Sequence, residues 1–75
     1  MDLQYELGRV AQVNQDIEAA NARIAELASE ASKLERVGQD VTEIMATLQR
    51  CHAMVDHLVR ERDKLTLLIA KVLLQ

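Results

Sequence analysis

The sequence predicts an all-α fold, an antiparallel hairpin of two long helices within a single domain over residues 1–75. Three observations support this prediction. The 75 residues include no proline and only two glycines, whereas residue types that favour helices are abundant. Apolar residues recur alternately every three and four positions, which is the period of helices that pack side by side. One turn signal, at residues 37–40, divides the chain into two segments of similar length.

The first apolar stripe predicts a helix from about residue 3 to about residue 36. Its opposite side is mostly polar, so this helix has one narrow apolar face and needs one neighbour. Asp2 is placed to act as the N-cap, because its carboxylate can accept the free N–H groups of the first turn. The stripe consists of Val10, Val13, Ile17, Ala20, Ile24, Leu27, Ala31 and Leu34.

Residues 37–40 predict the turn. Gly38 stands where the end of a helix places a glycine in the left-handed conformation. Asp40 followed by Glu43 is a capping-box pattern, which is typical of a helix start. The alternative is one continuous coiled-coil helix about 110 Å long, since an interior glycine costs only about 1 kcal/mol. The hairpin is favoured because the apolar stripe changes phase by three residues here, and a turn absorbs that change.

The second apolar stripe predicts a helix over about residues 41–74. A flanking column adds Met45, Val59 and Leu73, so this face has three columns and is expected to touch two neighbours. We therefore expect this helix to be the more buried of the two. The stripe consists of Val41, Ile44, Leu48, Cys51, Val55, Leu58, Arg62, Leu65, Ile69 and Val72.

Arg62 is the charged exception in the second stripe and predicts a polar layer in the seam. A guanidinium among apolar side chains is costly unless it is paired or reaches water. In an antiparallel hairpin Asp16 lies near Arg62, and an ion pair between them would fix the register of the two helices. The alternative is an arginine whose charged end extends past the edge of the seam into solvent.

The last turns of the second helix are apolar nearly all round, and one narrow neighbour cannot cover them. An uncovered patch of this kind marks an interface in a soluble protein. We therefore expect a homo-oligomer, with a dimer of hairpins forming a four-helix bundle as the favoured form. A helix of a heterologous protein is the next possible partner. The expected interface residues are Leu48, Val55, Leu58, Leu65, Leu67, Leu68, Ile69, Val72 and Leu73.

Few residues are suited to catalysis or to metal binding. Cys51 falls within the apolar stripe, where a cysteine is expected to act as a small hydrophobic residue. With His52 and His57 it supplies three Cys/His ligands, fewer than the four of a structural zinc site. Phosphate-binding glycine loops and nucleophile elbows do not occur. The sequence therefore predicts a protein that is not an enzyme and uses no metal or other cofactor.

Charge and hydropathy restrict the partners. With a net charge of −3 the chain is poorly suited to phosphate backbones, so nucleic acid is not an expected partner. An RNA-binding dimer would need a positive face from Arg50, Arg60, Lys64 and Lys71. Nothing approaches the run of about eighteen apolar residues that spans a membrane. A single unpaired cysteine fits a reducing compartment, and the expected location is the cytoplasm.

A self-associating hairpin that acts as an oligomerisation or adaptor element is the leading functional hypothesis. Two near-equal helices joined by a tight turn resemble, in layout and without a shared motif, three kinds of protein. These are the N-terminal helical hairpin of hantavirus nucleoproteins, small secretion chaperones, and plasmid-encoded RNA-binding hairpin repressors. The resemblance implies three alternatives: a viral oligomerisation hairpin, a subunit or chaperone that shelters another protein's helix, and an RNA-binding hairpin dimer.

Overall fold

The computed structural model describes residues 2–75 as two antiparallel α-helices. Helix α1 spans Leu3–Arg36 and helix α2 spans Thr42–Leu73, close to the expected bounds. This part of the chain measures 59 Å along its longest axis and 14 Å along each of the other two. A continuous helix would be about 110 Å long. The chain therefore folds back on itself, and the prediction of a helical hairpin is confirmed.

Helix α1 begins at the predicted cap. Oδ1 of Asp2 accepts hydrogen bonds from the backbone N–H groups of Gln4 at 3.0 Å and Tyr5 at 3.3 Å. These two donors belong to the first turn of the helix, where no backbone carbonyl is available to them. Asp2 therefore fixes the point at which α1 starts.

Helix α1 is terminated by Gly38, which follows its last residue Arg36 by two positions. The φ of Gly38 is 75°, in the left-handed region. The N–H of Gly38 donates to the carbonyl of Glu35 at 3.1 Å, and the N–H of Gln39 donates to the carbonyl of Leu34 at 2.9 Å. This pair of bonds is the Schellman motif, which satisfies carbonyls that a helix end otherwise leaves free. Glycine suits this position because a Cβ atom disfavours positive φ.

Helix α2 begins one residue later than expected. Oδ1 of Asp40 accepts from the hydroxyl of Thr42 at 2.6 Å and from its backbone N–H at 2.9 Å. Asp40 thus orders the entry to the helix through Thr42 rather than through the N–H of Glu43 that the capping-box pattern suggested. Val41 occupies the capping position itself, without a side-chain bond.

The core lies in the seam between the helices and is thin. Val13, Ile17 and Leu65 form one buried cluster, against which Leu58 and Val59 pack. Among residues 2–75, no large side chain has less than 2% of its surface exposed. The buried apolar residues all belong to the two predicted stripes, and they are Val13, Ile17, Leu27, Ala31, Leu48, Leu65 and Ile69.

The expectation that α2 is the more buried helix holds for half-buried residues, of which α2 has ten and α1 has six, but not for fully buried ones. Helix α1 contributes four buried residues and α2 contributes three. The physical reason is that α1 covers two columns of α2 and leaves the third largely open. In that third column Val59 is half-buried, but Met45 is 48% exposed and Leu73 is 67% exposed.

Candidate interaction surface

Large apolar side chains remain exposed along α2 and just beyond it. Their exposed fractions run from 43% for Leu68 to 87% for Leu74. Isolated apolar residues are normal on a surface, but four of them within residues 67–74 are not. The exposed set comprises Met45, Met54, Leu67, Leu68, Leu73 and Leu74.

The nine residues expected at an interface divide into three groups in the hairpin. Leu48, Leu65 and Ile69 are buried. Val55, Leu58 and Val72 are half-buried, and Leu67, Leu68 and Leu73 are exposed. The buried group already packs within the hairpin, so only the exposed group is fully free to meet a second molecule. Their role at an interface stays a prediction.

Two rows of side chains flank the seam, one on each side of the hairpin. On α1 one row consists of the residues directly before Val10 and Ile17 and of those at seven-residue intervals from them. On α2 the same row consists of the residues directly before Val55 and Arg62 and of those at the same intervals. The other row immediately follows the remaining stripe residues, such as Val13. In an antiparallel pair, rows of the same kind meet on the same side of the seam. The two sides of the hairpin therefore differ in composition, and each can be described separately.

One side, which we name the ionic face, carries most of the charges next to the seam. An ion pair between Arg9 of α1 and Glu61 of α2 crosses between the helices here. Close to the turn, an open groove of about 370 Å³ is lined by Arg23, Glu30 and Thr47, among others. The flanking rows of the ionic face are Arg9, Asp16, Arg23, Glu30, Thr47, Met54, Glu61 and Leu68.

The opposite side, which we name the amide face, has one charged residue in its flanking rows, Glu35 near the end of α1. Its other polar members are two asparagines, a histidine and a threonine, and the rest are apolar. The hydroxyl of Thr66 donates to the backbone carbonyl of Arg62 at 2.8 Å. The flanking rows of the amide face are Leu7, Asn14, Asn21, Ala28, Glu35, Met45, His52, Val59, Thr66 and Leu73.

Arg62 emerges from the seam on the amide face. Its Nη1 lies 3.5 Å from Oδ1 of Asn14, and its Nε lies 3.6 Å from Oδ1 of Asp63. The predicted partner Asp16 lies on the ionic face, where its Oδ1 accepts from Nε2 of Gln12 at 3.0 Å. The structure thus brings Arg62 together with Asn14 rather than with Asp16. Because 34% of the Arg62 side chain is exposed, its charged end also reaches solvent.

The residues with reactive or ligating side chains are separate from one another. Cys51 is half-buried in the seam and forms no disulfide. His52 is exposed, and Nε2 of His57 lies 3.9 Å from Oε2 of Glu61 with 73% of the histidine side chain exposed. Within residues 2–75, no three His, Cys, Asp or Glu residues are arranged to hold a metal ion. Over the same span, neither helix is long and apolar enough to cross a membrane.

Four basic residues lie on the side of α2 that points away from α1. Arg50, Arg60, Lys64 and Lys71 are all exposed. Nη2 of Arg50 donates to the hydroxyl of Thr47 at 3.1 Å, so this residue contacts the ionic face. The acidic residues Asp56 and Asp63 are also exposed on this helix, so the outward surface carries both signs of charge.

Comparison of the chain with protein-family models, with curated proteins and with solved structures gave no match. No relative therefore supplies a function or a set of functional residues. What the protein does must follow from the surfaces that the hairpin presents.

Proposed function

We propose that this protein is a non-enzymatic protein–protein interaction module, a self-associating helical hairpin that acts as an oligomerisation or adaptor element. The observation that carries the proposal is the exposed apolar set on α2. A single α1 helix covers two of three apolar columns, and Met45, Leu67 and Leu73 remain about half exposed or more. Burying such side chains stabilises by roughly 25 cal/mol for each Å² removed from water.

The thin core supports the same proposal. Chains of this length bury only about 60% of the surface of their unfolded form, and small folds usually gain stability from disulfides, metals or association. Cys51 is the sole cysteine, so a disulfide within the chain is impossible. Association is the remaining source of stability that these residues favour.

The surface also supports a role without catalysis. Catalytic groups usually lie together in a concave site that limits access of water. Here the histidines and carboxylates are exposed on convex helix surfaces, as the 73% exposure of His57 illustrates. A binding role needs only the complementary faces that two helices can supply.

The mass of the purified chain in solution tests the proposal. Light scattering after size exclusion, combined with small-angle X-ray scattering, is expected to give two chains per particle and a longest dimension near the 59 Å of one hairpin. A chain that stays monomeric and helical at high concentration would contradict self-association. Such a result would favour a subunit that shelters a helix of another protein.

A matched pair of double variants tests whether the exposed apolar residues drive association. Leu67→Lys with Leu73→Lys places two charges in the apolar set and is expected to dissociate the particle. Ala19→Lys with Ala22→Lys adds the same two charges on the exposed outer side of α1 and is expected to leave it intact. If both double variants dissociated, overall charge, and not this surface, would control association.

A further inference from the structure

We propose that the amide face is the surface on which a second copy of this chain packs, with the ionic face left in solvent. This inference rests on the proposed function and adds to it the side of the hairpin that associates. It also assigns a role to the polar layer formed by Arg62 and Asn14. The two faces differ in the number of charged residues next to the seam.

The flanking rows of the ionic face would be costly to bury. Arg9, Asp16, Arg23 and Glu30 place a charge in every heptad of α1 on that side. Only the pair of Arg9 with Glu61 is already matched across the helices. Arg23 pairs with Glu26 of its own helix at 3.5 Å, but removing Asp16 and Glu30 from water without an ionic partner is unfavourable. The rows of the amide face contain one charged side chain, Glu35 near the end of α1, so their burial carries less of this penalty.

The charged stripe residue that opens onto the amide face already has an ionic partner in the hairpin. Arg62 lies 3.6 Å from the carboxylate of Asp63 and within 3.5 Å of the amide oxygen of Asn14. The amides of Asn14 and Asn21 each offer two donors and an acceptor. In an assembly these groups can bond across the interface. A single polar layer in an apolar interface fixes register and partner number at some cost in stability.

The size of the face suits a stable dimer. The described chain is 59 Å long and 14 Å wide, so one flat side covers roughly 800 Å², which is the area that each partner contributes to a typical stable interface. The exposed apolar residues Leu7, Met45 and Leu73 lie at the ends of this face. Uncharged polar groups occupy its middle, and Glu35 lies at the end near the turn.

A second copy is the occupant that this charge pattern favours. A two-fold dimer brings the same surface of both chains together, so the surface must be complementary to itself. Rows whose single charge, Glu35, lies at one end meet this requirement when the two hairpins lie antiparallel, since like charges then do not oppose one another.

Two methionines of α2 provide a matched test. Met45 on the amide face is 48% exposed and Met54 on the ionic face is 55% exposed. Met45→Glu is expected to weaken dimerisation about tenfold or more, because it places an unpaired charge in the interface. Met54→Glu is expected to change it by less than about twofold, because that residue stays in water. Sedimentation equilibrium over a range of protein concentrations measures both dissociation constants.

Two alanines of α1 provide an independent pair on the other helix. Ala28 belongs to the amide face and Ala22 lies on the outer side of α1, and both are exposed. Ala28→Glu is expected to dissociate the dimer, whereas Ala22→Glu is not. Circular dichroism checks that each variant stays helical. If helicity falls in Ala28→Glu and returns at higher concentration, folding and assembly are coupled and the result still supports this face.

The outcomes separate this inference from the function on which it rests. Dissociation by Met54→Glu but not by Met45→Glu would overturn the choice of face and leave self-association standing. If the two methionine variants dimerised equally well, and the two alanine variants did so too, the choice of face would also be overturned. A wild-type chain that is monomeric throughout would remove the proposed function together with this inference.

Discussion

Nη1 of Arg62 in α2 lies 3.5 Å from Oδ1 of Asn14 in α1, across an otherwise apolar seam. The same guanidinium lies 3.6 Å from the carboxylate of its neighbour Asp63. The charge at this stripe position is therefore held by one contact across the seam and one on its own helix. The contact with Asn14 lies on the amide face, so it determines which side of the hairpin carries the polar layer.

Replacing Arg62 by leucine tests the role of this layer. A leucine would complete the apolar stripe and is expected to raise the free energy of unfolding by about 1 kcal/mol. It is also expected to replace one particle size by a mixture, because the layer no longer selects a register. Urea denaturation measures the first effect and light scattering the second.

Arg60→Leu is the matched control for Arg62→Leu. Arg60 is exposed on the outward side of α2, so its replacement removes the same charge without touching the seam. It is expected to change the free energy of unfolding by about 0.5 kcal/mol or less. A loss of stability in Arg62→Leu, with one particle size retained, would show that the arginine supports the seam and does not specify it.

The seam itself could be predicted from the sequence. Every residue of the two predicted stripes, from Val10 to Leu34 and from Val41 to Val72, is buried or half-buried in the hairpin. The reason is that the spacing of apolar residues alone determines which side of a helix avoids water. The caps could be predicted for a similar reason, since Asp2 and Gly38 act within one turn of their own positions.

The partner of Arg62 and the extent of α2 burial could not be predicted in this way. A long side chain can reach either side of the seam, and sequence separation does not tell which side it takes. Asn14 and Asp16 both lie close to Arg62 along α1, but they flank the seam on opposite sides. The hairpin leaves Met45 and Leu73 exposed, because the narrow face of α1 covers only two of the three apolar columns of α2.

The two glycines are expected to respond in opposite ways to replacement by alanine. At Gly38 a Cβ atom would meet nothing within 4 Å, but the φ of +75° is strained for alanine, so Gly38→Ala is expected to destabilise by about 1–2 kcal/mol. Gly8 lies within α1 and a Cβ atom there also meets nothing within 4 Å. Gly8→Ala is therefore expected to stabilise by about 0.5–1 kcal/mol.

Urea denaturation of the two glycine variants measures both signs under the same conditions. A Gly38→Asn variant serves as a further check, because asparagine tolerates the left-handed region better than alanine does. It is expected to fall between wild type and Gly38→Ala. If Gly38→Ala were as stable as wild type, the turn would have to adopt a conformation other than the Schellman motif.

Asp40 is expected to make stability depend on pH in the acid range. The hydrogen bond from the Thr42 hydroxyl and then that from the Thr42 N–H hold the pKa of Asp40 below its usual 3.8. A pKa that is lower in the folded state means that the contribution to stability is present above the unfolded pKa. It is lost as the pH falls through the folded pKa. The free energy of unfolding should therefore fall in the acid range as Asp40 is protonated, whereas at neutral pH the contribution of Asp40 is complete and does not change with pH.

Carboxyl-detected NMR titration measures the pKa of Asp40 directly. In wild type it is expected below 3.8. In Thr42→Val, which removes the hydroxyl donor and keeps the backbone N–H, it is expected to rise toward that value. Thr47→Val is the control, because the Thr47 hydroxyl donates to the carbonyl of Glu43 and not to Asp40. An unchanged pKa in Thr42→Val would assign the stabilisation to the backbone bond alone.

Substitution of a core leucine is expected to unfold the hairpin rather than to dissociate it. Leu27 is 4% exposed, so Leu27→Ala is expected to cost about 2–3 kcal/mol through lost burial and a cavity in the seam. Leu67 is 58% exposed, and Leu67→Ala is expected to cost about 0.5 kcal/mol or less in the hairpin itself. Urea denaturation at one low protein concentration compares the two.

The difference between buried and exposed leucines determines which variants can report on assembly. Leu65 and Ile69 lie in the same stripe and are buried within the hairpin, so charged substitutions there remove the fold together with any dimer. Exposed positions such as Met45 and Leu73 can lose an assembly contact while α1 and α2 stay packed. If Leu27→Ala left the urea midpoint unchanged, the seam would not be the source of stability, and the distinction between core and interface positions would fail.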